Sequence, residues 1–562
     1  ARRRWLLPAL ALLAVTAVAV ATLLAPRFER VPPVPRTRML TFRRGSVLGA
    51  RFGPDGRTIH YSAAWNGAPL QVFSTSLDSA ESRPLGLGNA QLLAVSPSGE
   101  LALALEPRMV LFDGSRGTLA RVSSLGGVPR EVATGVEYAD WSPDGTQLVV
   151  SRTENRQTRL EYPVGHVIFE ATGWVSHPRL SPDGRRIAFI NHLLPADTSG
   201  EVDVVDASGG HREVWSPPFD ELLGLAWDPD GKSLLITGSL KGTVDFLWRA
   251  RPGRAPQLVY AAPGNLLLAD VSREGRALVM QTDWRQEIEV IRADGTQRSL
   301  EWLDCGLLGD LSPDGTKVLM SEDGKGAGGN TQLLLRDVSQ PAPVKLGPGF
   351  SLALSPDGHW AVSIDRGDSP KLVMIPTGPG EPRRLPPSGL ARIDRGTFFP
   401  DGKRLALIGA KTPISTTTLF VYDLKTGEAQ PLGSADAGDM VAVSRDGQKV
   451  AATSTGGIIA IFPLDGTEPI RVDSWDSGWR VVGWLDDGSL VALQPYVVPS
   501  KLERFDPRTR KISPFRTIAP LDPAGVPGII RARITADGRT IAFQLRRMSS
   551  TLTVLDWGGT PP

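Results

Sequence analysis

The amino-acid sequence predicts an all-β fold of tandem β-propellers behind one N-terminal transmembrane helix. Two observations indicate the propellers: a four-residue turn motif recurs twelve times in 562 residues, and successive copies lie 39 to 50 residues apart. A period of about 44 residues with several short strands per repeat is typical of four-stranded propeller blades. The third observation, an uncharged apolar segment near the start of the chain, indicates the helix.

The turn motif is clearest at Ser142–Gly145, Ser-Pro-Asp-Gly, which precedes the alternating strand Thr146–Ser151. Pro presets φ at the second position, Asp tolerates the third, and Gly takes the left-handed conformation that lets the chain fold back. The serine hydroxyl can also bond the amides of the turn. The motif therefore predicts a hairpin in every repeat. The turn glycines are Gly56, Gly99, Gly145, Gly184, Gly231, Gly275, Gly315, Gly358, Gly402, Gly447, Gly488 and Gly538.

The number of repeats predicts two rings of blades. A solenoid of helix pairs has a similar period, but Val, Ile and Leu alternate here and Gly and Pro mark turns, which favours strands. Twelve blades exceed the usual range of about four to eight in one ring. We therefore expect six plus six, with propellers over residues 39–302 and 303–562 and the join near Leu303–Leu308. Seven plus five and one large ring are the alternatives.

The two ends of the repeat array predict how the sheets close. Met39–Arg44 is a strand-like run before the first repeat, and the twelfth repeat stops after a third strand at Thr551–Trp557. A leading strand in the place of a missing last strand removes an open sheet edge. We therefore expect the chain ends to meet in the twelfth blade, which leaves the closure of the first ring unexplained.

The third repeat shows the strands expected in each blade. They are Tyr138–Ser142, Gln147–Arg152, Arg159–Pro163 and Val167–Ala171. Blades pack face to face, so we expect both faces of the inner strands to be buried. Aromatic residues just before the turn are predicted to pack between neighbouring blades, namely Phe52, Trp141, Trp227, Phe398 and Trp484.

The first 26 residues predict a membrane anchor. Trp5–Pro26 has no charged residue, and about 20 apolar residues span a bilayer. Arg2–Arg4 mark the cytoplasmic side, so residues 1–4 are expected to be a cytoplasmic stub and the chain after Pro26 to be extracytoplasmic. A cleavable signal peptide, with a small-x-small site at Ala19–Ala21, is the alternative. Residues 27–38 form a Pro-rich spacer, and the initial Ala leads us to expect a cytoplasmic part before the chain.

Charge and composition exclude several functions. The net charge is +2, but residues 1–38 carry seven Arg and one Glu, so the remainder is mildly acidic and has no electrostatic footprint for nucleic acid. The single cysteine, Cys305, excludes an internal disulfide and a Cys-based metal site. We expect no cofactor or metal, because the histidines occur singly, without zinc spacing, and each is expected at the surface or in a turn. They are His60, His166, His177, His192, His211 and His359.

The repeat resembles a known family. Ser181–Ile190, SPDGRRIAFI, resembles the TolB-type propeller repeat, and the resemblance covers about residues 39–558. It implies the fold but not the function, because such blades occur in periplasmic transport accessories, peptidases and sensors.

The layout of the chain is similar to a second group of proteins. A basic stop, one membrane span, a Pro-rich spacer and then propeller repeats resemble the C-terminal region of bacterial membrane-anchored serine/threonine kinases. This resemblance implies a single-pass inner-membrane protein with periplasmic propellers that act as a sensor or interaction module. The kinase motifs themselves are absent from this chain. The layout also resembles membrane-bound winged-helix regulators.

The sequence does not predict an enzyme. A peptidase of the prolyl-oligopeptidase type needs a GxSxG nucleophile elbow and a later histidine, but no GxSxG occurs and no His follows His359. We expect a non-enzymatic module that binds a protein or a small molecule. The alternative is a periplasmic TolB-like propeller enzyme or an envelope transport accessory.

Propellers usually bind their partners at a channel mouth. The candidate residues are His177, Asp220 and Glu221 in the first ring and Arg392, Arg395, Trp479, Arg480 and Arg531 in the second. Four arginines and a tryptophan near one mouth would suit an acidic or aromatic-contacting partner. The alternative interpretation is that these are solvated charges at the ends of blades.

Overall fold

The computed structural model describes residues 34–558 apart from 80, 110–113, 155–156, 195–196, 243, 263, 324–330, 366–368, 413–414, 434–436, 455–456, 474 and 476–477. The described residues form 45 β-strands and no α-helix, which confirms the all-β prediction for this part of the chain. Within it, no helix has the length and apolarity needed to cross a bilayer. The predicted stub, the predicted span Trp5–Pro26 and residues 27–33 of the spacer lie outside the described residues. The end of the spacer is a strand, β1 (Arg36–Met39).

Eight sheets have four antiparallel strands joined in chain order, as in propeller blades. In the first half of the chain they are β2–β5 (Gly45–Phe52, Thr58–Trp65, Gln71–Ser76, Arg83–Pro84), β13–β16 (Trp174–Leu180, Arg186–His192, Glu201–Asp206, Arg212–Val214) and β17–β20 (Glu221–Trp227, Leu234–Ser239, Phe246–Ala250, Gln257–Tyr260). In the second half they are β24–β27 (Gly306–Leu311, Lys317–Glu322, Gln332–Asp337, Val344–Pro348), β28–β31 (Phe350–Leu354, Trp360–Asp365, Lys371–Pro376, Arg383–Arg384), β32–β35 (Arg392–Phe398, Arg404–Ala410, Thr418–Asp423, Ala429–Pro431), β36–β39 (Ala437–Val443, Lys449–Ser454, Ile459–Pro463, Ile470–Val472) and β40–β43 (Arg480–Trp484, Leu490–Leu493, Ser500–Asp506, Lys511–Ile518).

A ninth sheet has seven strands because two repeats share one long strand. Its strands are β6 (Ala90–Val95), β7 (Glu100–Met109), β8 (Ser115–Ser123), β9 (Arg130–Trp141), β10 (Leu148–Glu154), β11 (Gln157–Glu161) and β12 (Val167–Glu170). The first part of β9, up to Val136, pairs with β8, and the part from Val136 to Trp141 pairs with β10. The four strands expected in the third repeat are therefore present, with the inner strand extended backwards into the second repeat.

The tenth sheet contains two long strands that link the halves of the chain. They are β22 (Ala277–Ile291) and β45 (Ile541–Asp556), which pair antiparallel along their whole length and which we call the crossing strands. At one end they are flanked by β21 (Asn265–Val271) and β1, and at the other by β44 (Gly528–Ile534) and β23 (Gln297–Ser299). Each end of this sheet is therefore a four-stranded unit.

The leading strand is Arg36–Met39 and not the predicted run Met39–Arg44, and it completes a different repeat from the one that the sequence led us to expect. β1 pairs with the Thr553–Asp556 end of β45, beside the first part of β22, and so completes the sixth repeat. β23 completes the twelfth repeat by pairing with Glu289–Ile291 of β22. The reason is the length of β45, whose 16 residues extend beyond its own repeat and pair with strands of the first half of the chain.

The first strands of the repeats contact one another in two closed series. β2, β6, β9, β13, β17 and β21 form the first circuit, in which β21 contacts β2 again. β24, β28, β32, β36, β40 and β44 form the second circuit, which β44 closes against β24. All seven residues of β13 are buried, as expected for an inner strand. The five aromatic residues before the turns are also buried, which confirms the prediction of their packing.

The turns have the conformation that the motif predicts. All twelve turn glycines have positive φ, between 63° and 83°. At Ser142–Gly145 the Gly145 amide donates to the Ser142 carbonyl (2.8 Å), and the Ser142 hydroxyl donates to Asp144 and accepts from the Gln147 amide (2.9 Å). The same bond from a Ser or Thr hydroxyl to the turn Asp recurs in five other repeats. These six hairpins are therefore stabilised by their own side chains.

The inner strands are joined from repeat to repeat by hydrogen bonds at β-bulges. A bulge leaves a backbone group without a partner in its own sheet. At six bulges the amide just before the register shift donates to a side chain of the preceding repeat. The pairs are Val47 with Ser550 Oγ (3.2 Å), Leu92 with Ser62 Oγ (3.2 Å), Leu268 with Thr237 Oγ1 (3.0 Å), Leu308 with Gln544 Oε1 (2.9 Å), Ser351 with Ser321 Oγ (2.6 Å) and Val481 with Thr453 Oγ1 (3.0 Å).

Gly145→Val should lower the free energy of unfolding by about 1–3 kcal/mol, because a β-branched residue is strained at positive φ. Gly145 has a φ of 71°. Gly145→Asn is the control and should lose less, since Asn enters the left-handed region more readily than Val. Denaturant unfolding of residues 34–558 measures both variants. Equal losses would show that the conformation of the turn is not the cause.

Thr237→Val should destabilise the protein by about 1–3 kcal/mol, because it leaves buried backbone groups without partners. The hydroxyl accepts from the Leu268 amide of the next repeat and donates to the Leu223 carbonyl of its own. Thr237→Ser keeps the hydroxyl and should lose only the contribution of one methyl group, about 1 kcal/mol. The measurement is again denaturant unfolding, and a valine variant as stable as the serine variant would contradict this role of the hydroxyl.

Candidate functional site: a cavity inside the first circuit

The first circuit surrounds a cavity that is open to solvent at its mouth. All six inner strands of the circuit contribute to its wall, and the crossing strands add Trp284, Arg546 and Met548. Most of the wall is apolar, with leucine and methionine side chains between a few polar ones. Ligand sites in proteins usually have this composition.

Two arginines lie at one end of this cavity and converge on a single carbonyl group. Arg51 Nη1 and Arg179 Nη2 each donate to the Ala269 carbonyl at 2.7 Å. Arg179 also donates from Nε to the Leu225 carbonyl (2.8 Å), whereas Arg51 Nε is buried without a hydrogen-bond partner. Because these acceptors are neutral carbonyls, the hydrogen bonds do not cancel the charge of either guanidinium group.

Two carboxylates stand behind the arginines but do not line the cavity. Asp140 accepts from the Leu180 amide (3.0 Å) and Asp270 from the Phe52 amide (2.9 Å), each in the next repeat of the circuit. Asp140 is 3.9 Å from the Arg179 guanidinium group. Each carboxylate therefore joins neighbouring repeats as well as facing an arginine.

Burial and neighbouring charges shift the pKa values of Arg51 and Asp140 at this end of the cavity. Burial, followed by repulsion from Arg179, lowers the pKa of Arg51 to about 9. Burial raises the pKa of Asp140 above its ordinary value, and the nearby Arg179 and Arg51 oppose that change. Perturbed groups of this kind concentrate at functional sites, although structural ion pairs also produce them.

His177 lies in the wall of the cavity at the bulge of β13, with a φ of 51°. The His192 Nδ1 atom is 3.0 Å from the Ser199 carbonyl, which can only accept, so that nitrogen carries a proton. Neutral His192 then accepts from the Ser176 hydroxyl (2.9 Å), and the Ser176 oxygen accepts from His177 Nδ1 (3.0 Å). In neutral His177 the unprotonated atom is therefore Nε2, which can accept a hydrogen bond or a proton.

The other two predicted residues of the first ring have different positions. Glu221 lines the cavity, as does the buried Asp245, which immediately precedes β19. Asp220 is exposed and does not line it; its carboxylate accepts from the Gly242 amide (3.0 Å). The structure thus brings His177 and Glu221 to one cavity and leaves Asp220 outside.

The five predicted residues of the second ring do not line this cavity. Trp479 is buried in the core, stacked on Trp475 with ring centroids 5.6 Å apart. Arg531 is half-buried on β44. Arg392 and Arg395 are half-buried on β32 and bond the carboxylate and the carbonyl of Asp394, respectively.

Arg480 is the fifth residue predicted for the second ring. It donates to the Ile530 carbonyl (2.8 Å) and to the Tyr496 hydroxyl (3.0 Å), and it lies over the Tyr496 ring. These bonds join β40 to the neighbouring β44. The position of Arg480 is therefore explained by packing between two repeats.

Sequence reasoning missed the arginine pair and the burial of three histidines. Arg51, Asp140, Arg179 and Asp270 all lie five residues before a turn glycine, and comparison of that position across the repeats would have found them. His60, His177 and His192 are buried, contrary to the expectation of surface histidines. The expectation was wrong for them because the partners that allow burial, such as Ser199 for His192, are non-adjacent residues.

A second cavity lies beside β25 and β26, lined partly by Trp302, Leu303 and Glu322. Glu322 is fully buried and accepts from the Cys305 amide (2.6 Å). Burial is the main cause that raises its pKa to about 7, and the neighbouring carboxylates Asp304 and Asp323 add to it. Within the part of the chain that the structure describes, no three His, Cys, Asp or Glu residues are placed to hold a metal ion.

Glu322→Gln should make the protein less sensitive to pH than the wild type between about pH 5 and 8. The folded-state pKa of about 7 lies above the ordinary value of 4.5, so the charged form is disfavoured by folding. The contribution of Glu322 to stability is therefore present below pH 4.5 and is lost as the pH rises through about 7. Thermal unfolding across this range measures it. Exposed Glu468→Gln is the control, and parallel curves for wild type and Glu322→Gln would contradict the assignment.

Comparisons with known proteins leave the activity of this chain open. No family model matches the chain. The uncharacterized peptidase YuxL of Bacillus subtilis is 31% identical over 112 residues, which are 18% of this chain and only 17% of that protein.

Among solved structures, the GH74 enzyme of Niastella koreensis covers 88% of this chain and 90% of its own at 13% identity and a TM-score of 0.32. TolB from Acinetobacter baumannii covers 59% and 78% at 17% identity and a TM-score of 0.27. TolB-type propellers are thus among the structures to which this chain is similar, and at these scores the likeness carries no argument about activity.

Proposed function

We propose that this chain is the extracytoplasmic binding module of a membrane-anchored signalling protein, and that it binds a ligand or a protein partner without catalysing a reaction. The observation that carries the proposal is the cavity of the first circuit. Six repeats bring Arg51, Arg179, His177 and Glu221 to one largely apolar space. Such convergence of a few polar groups in an apolar concavity is typical of ligand sites.

We infer that the module consists of two six-bladed TolB-like propellers. The two closed circuits of six inner strands support this division, and six lies within the usual range of about four to eight blades. The crossing strands give each ring a strand from the other half of the chain. The proposed propellers over residues 39–302 and 303–562 therefore exchange strands at their junction.

The membrane anchor and the signalling role are supported by the sequence. Arg2–Arg4, the apolar segment Trp5–Pro26 and the Pro-rich spacer favour a single pass through a bacterial inner membrane, with the propellers in the periplasm. The resemblance of this layout to membrane-anchored kinases favours a cytoplasmic serine/threonine kinase domain before the chain. A winged-helix domain in that position is the alternative.

A propeller enzyme is the second candidate, and the chain of hydrogen bonds through Ser176 favours it. That chain fixes the ring of His177 in the wall of the cavity, where a histidine could serve as a general base toward a bound molecule. Ser176 itself is fully buried, so it is not a nucleophile for such a molecule. Transport accessory proteins share the propeller fold, but no contact in the described residues favours that role.

Residues 34–558 should bind the neutral apolar dye Nile red in a saturable way, and Leu267→Arg should abolish that binding. Leu267 lines the cavity, where an arginine would fill space and add charge. Leu303→Arg is the matched control, because Leu303 is a partly exposed leucine of the second cavity and its replacement should leave binding unchanged.

Dye fluorescence measures both variants. Loss of binding in Leu303→Arg but not in Leu267→Arg would place the dye elsewhere and contradict the proposed site. Clear turnover in a screen of hydrolase and lyase substrates, abolished by His177→Gln, would contradict the non-enzymatic assignment.

A further inference from the structure

We propose that the ligand of the first-circuit cavity is an apolar molecule with one anionic group, a carboxylate or a phosphate, and that Arg51 and Arg179 bind this group. The inference rests on the proposed function, since it requires that the cavity is a binding site. It follows from which charges face the cavity, which hydrogen bonds they already make, and what surrounds them.

At the end of the cavity where the two arginines lie, the wall contains cationic side chains but not the carboxylates that neighbour them. Arg51 and Arg179 line it, whereas Asp140 and Asp270 do not. The two aspartates accept backbone amides of the next repeat, which holds them on the far side of the arginines. A molecule in the cavity therefore meets the guanidinium groups first.

The guanidinium groups have donors to offer such a molecule. A guanidinium carries five N–H bonds, and its geometry suits two oxygens of a carboxylate or phosphate. Both bonds that Arg51 makes to carbonyl groups, those of Ala50 and Ala269, come from Nη1, so they leave the Nη2 donors of the guanidinium group uncommitted. Its lowered pKa, caused by burial and by Arg179, indicates that a nearby anion would stabilise both cations.

The rest of the cavity requires that the remaining part of the ligand is apolar. Leu48, Leu267, Met280 and Met548 are among the lining residues. Burying an aliphatic or aromatic body there is favourable by about 25 cal/mol per Å² of apolar surface.

The polar groups at the opposite end orient the ligand. Glu221 begins β17, whereas Arg179 bonds the Leu225 carbonyl of that strand, four residues further on. Four residues of a strand span roughly 13 Å. Arg546 of a crossing strand also lines the cavity, so the orientation depends on Glu221 and the buried Asp245, whose acidic side chains favour the anionic group at the arginine pair.

Displacement of Nile red from residues 34–558 at neutral pH tests the inference with four probes that share one alkyl chain: octanoate, octyl phosphate, octanol and octylammonium. We expect at least one of the two anions to bind tenfold or more tightly than octanol, and octylammonium to bind no better than octanol. The stronger anion identifies the group as carboxylate or phosphate. This comparison uses the wild-type chain and does not depend on the folding of a variant.

Variants then assign the preference to the arginines. Arg51→Met should remove the advantage of the anion over octanol, while Arg51→Lys should keep part of it, because lysine retains the charge but not the paired donors. Arg533→Met is the matched control: Arg533 has the same position before its turn in the second circuit, and its replacement should leave the preference intact.

The outcomes separate the two proposals. If Nile red binds at the cavity but octanol displaces it as well as both anions do, the anionic ligand is wrong and the binding site stands. If the anions bind better but Arg51→Met leaves that advantage unchanged, the assignment to the arginine pair is wrong. If Leu267→Arg does not affect dye binding, the proposed function itself fails.

Discussion

The rest of the structure depends on how the backbone amides at the bulges of the inner strands are satisfied. An inner strand is buried on both faces, so an amide that leaves its own ladder has no access to water. Ser62, Thr237, Ser321, Thr453 and Gln544 supply acceptors from the preceding repeat. A repeat therefore does not complete its own hydrogen bonding, and its position is determined by the repeat that precedes it around the circuit.

The crossing strands make the two circuits depend on each other for backbone hydrogen bonds, as neighbouring repeats do within one circuit. β22 and β45 pair along their whole length, so the last sheet of each circuit contains a strand that starts in the other half of the chain. Arg547 binds Glu287 (2.6 Å) across this pair, in a half-buried position where removal of one partner would leave the other charge uncompensated. Gln544 contributes to both kinds of contact. It belongs to a crossing strand, and its side chain accepts the Leu308 amide at the bulge of the seventh repeat. Exposed sheet edges are thereby avoided where the circuits join.

The cavity is a consequence of the same bulges and of the charges next to them. His177 adopts positive φ at a bulge, a conformation that is uncommon for a residue other than glycine. Arg179 is buried and Arg51 half-buried, and the two cations share one carbonyl, an arrangement that burial and mutual repulsion make unfavourable. Proteins keep strain and like charges of this kind mainly where a site needs them. The unfavourable features therefore coincide with the space that we propose as the ligand site.

The sequence by itself determined the hairpins, the number of turn motifs and the buried aromatic residues, because each depends on neighbours a few positions away. Ser142–Gly145 makes its turn with its own side chains, and two site residues, His177 and Glu221, were placed near a channel by their positions in the repeat. Only the tertiary structure decided that β1 completes the sixth repeat, that His192 is buried, and that Arg51 and Arg179 meet at Ala269. These contacts join residues tens to hundreds of positions apart, and the pattern of one repeat contains no information about its partner across the ring. Closure of the circuits brings them together.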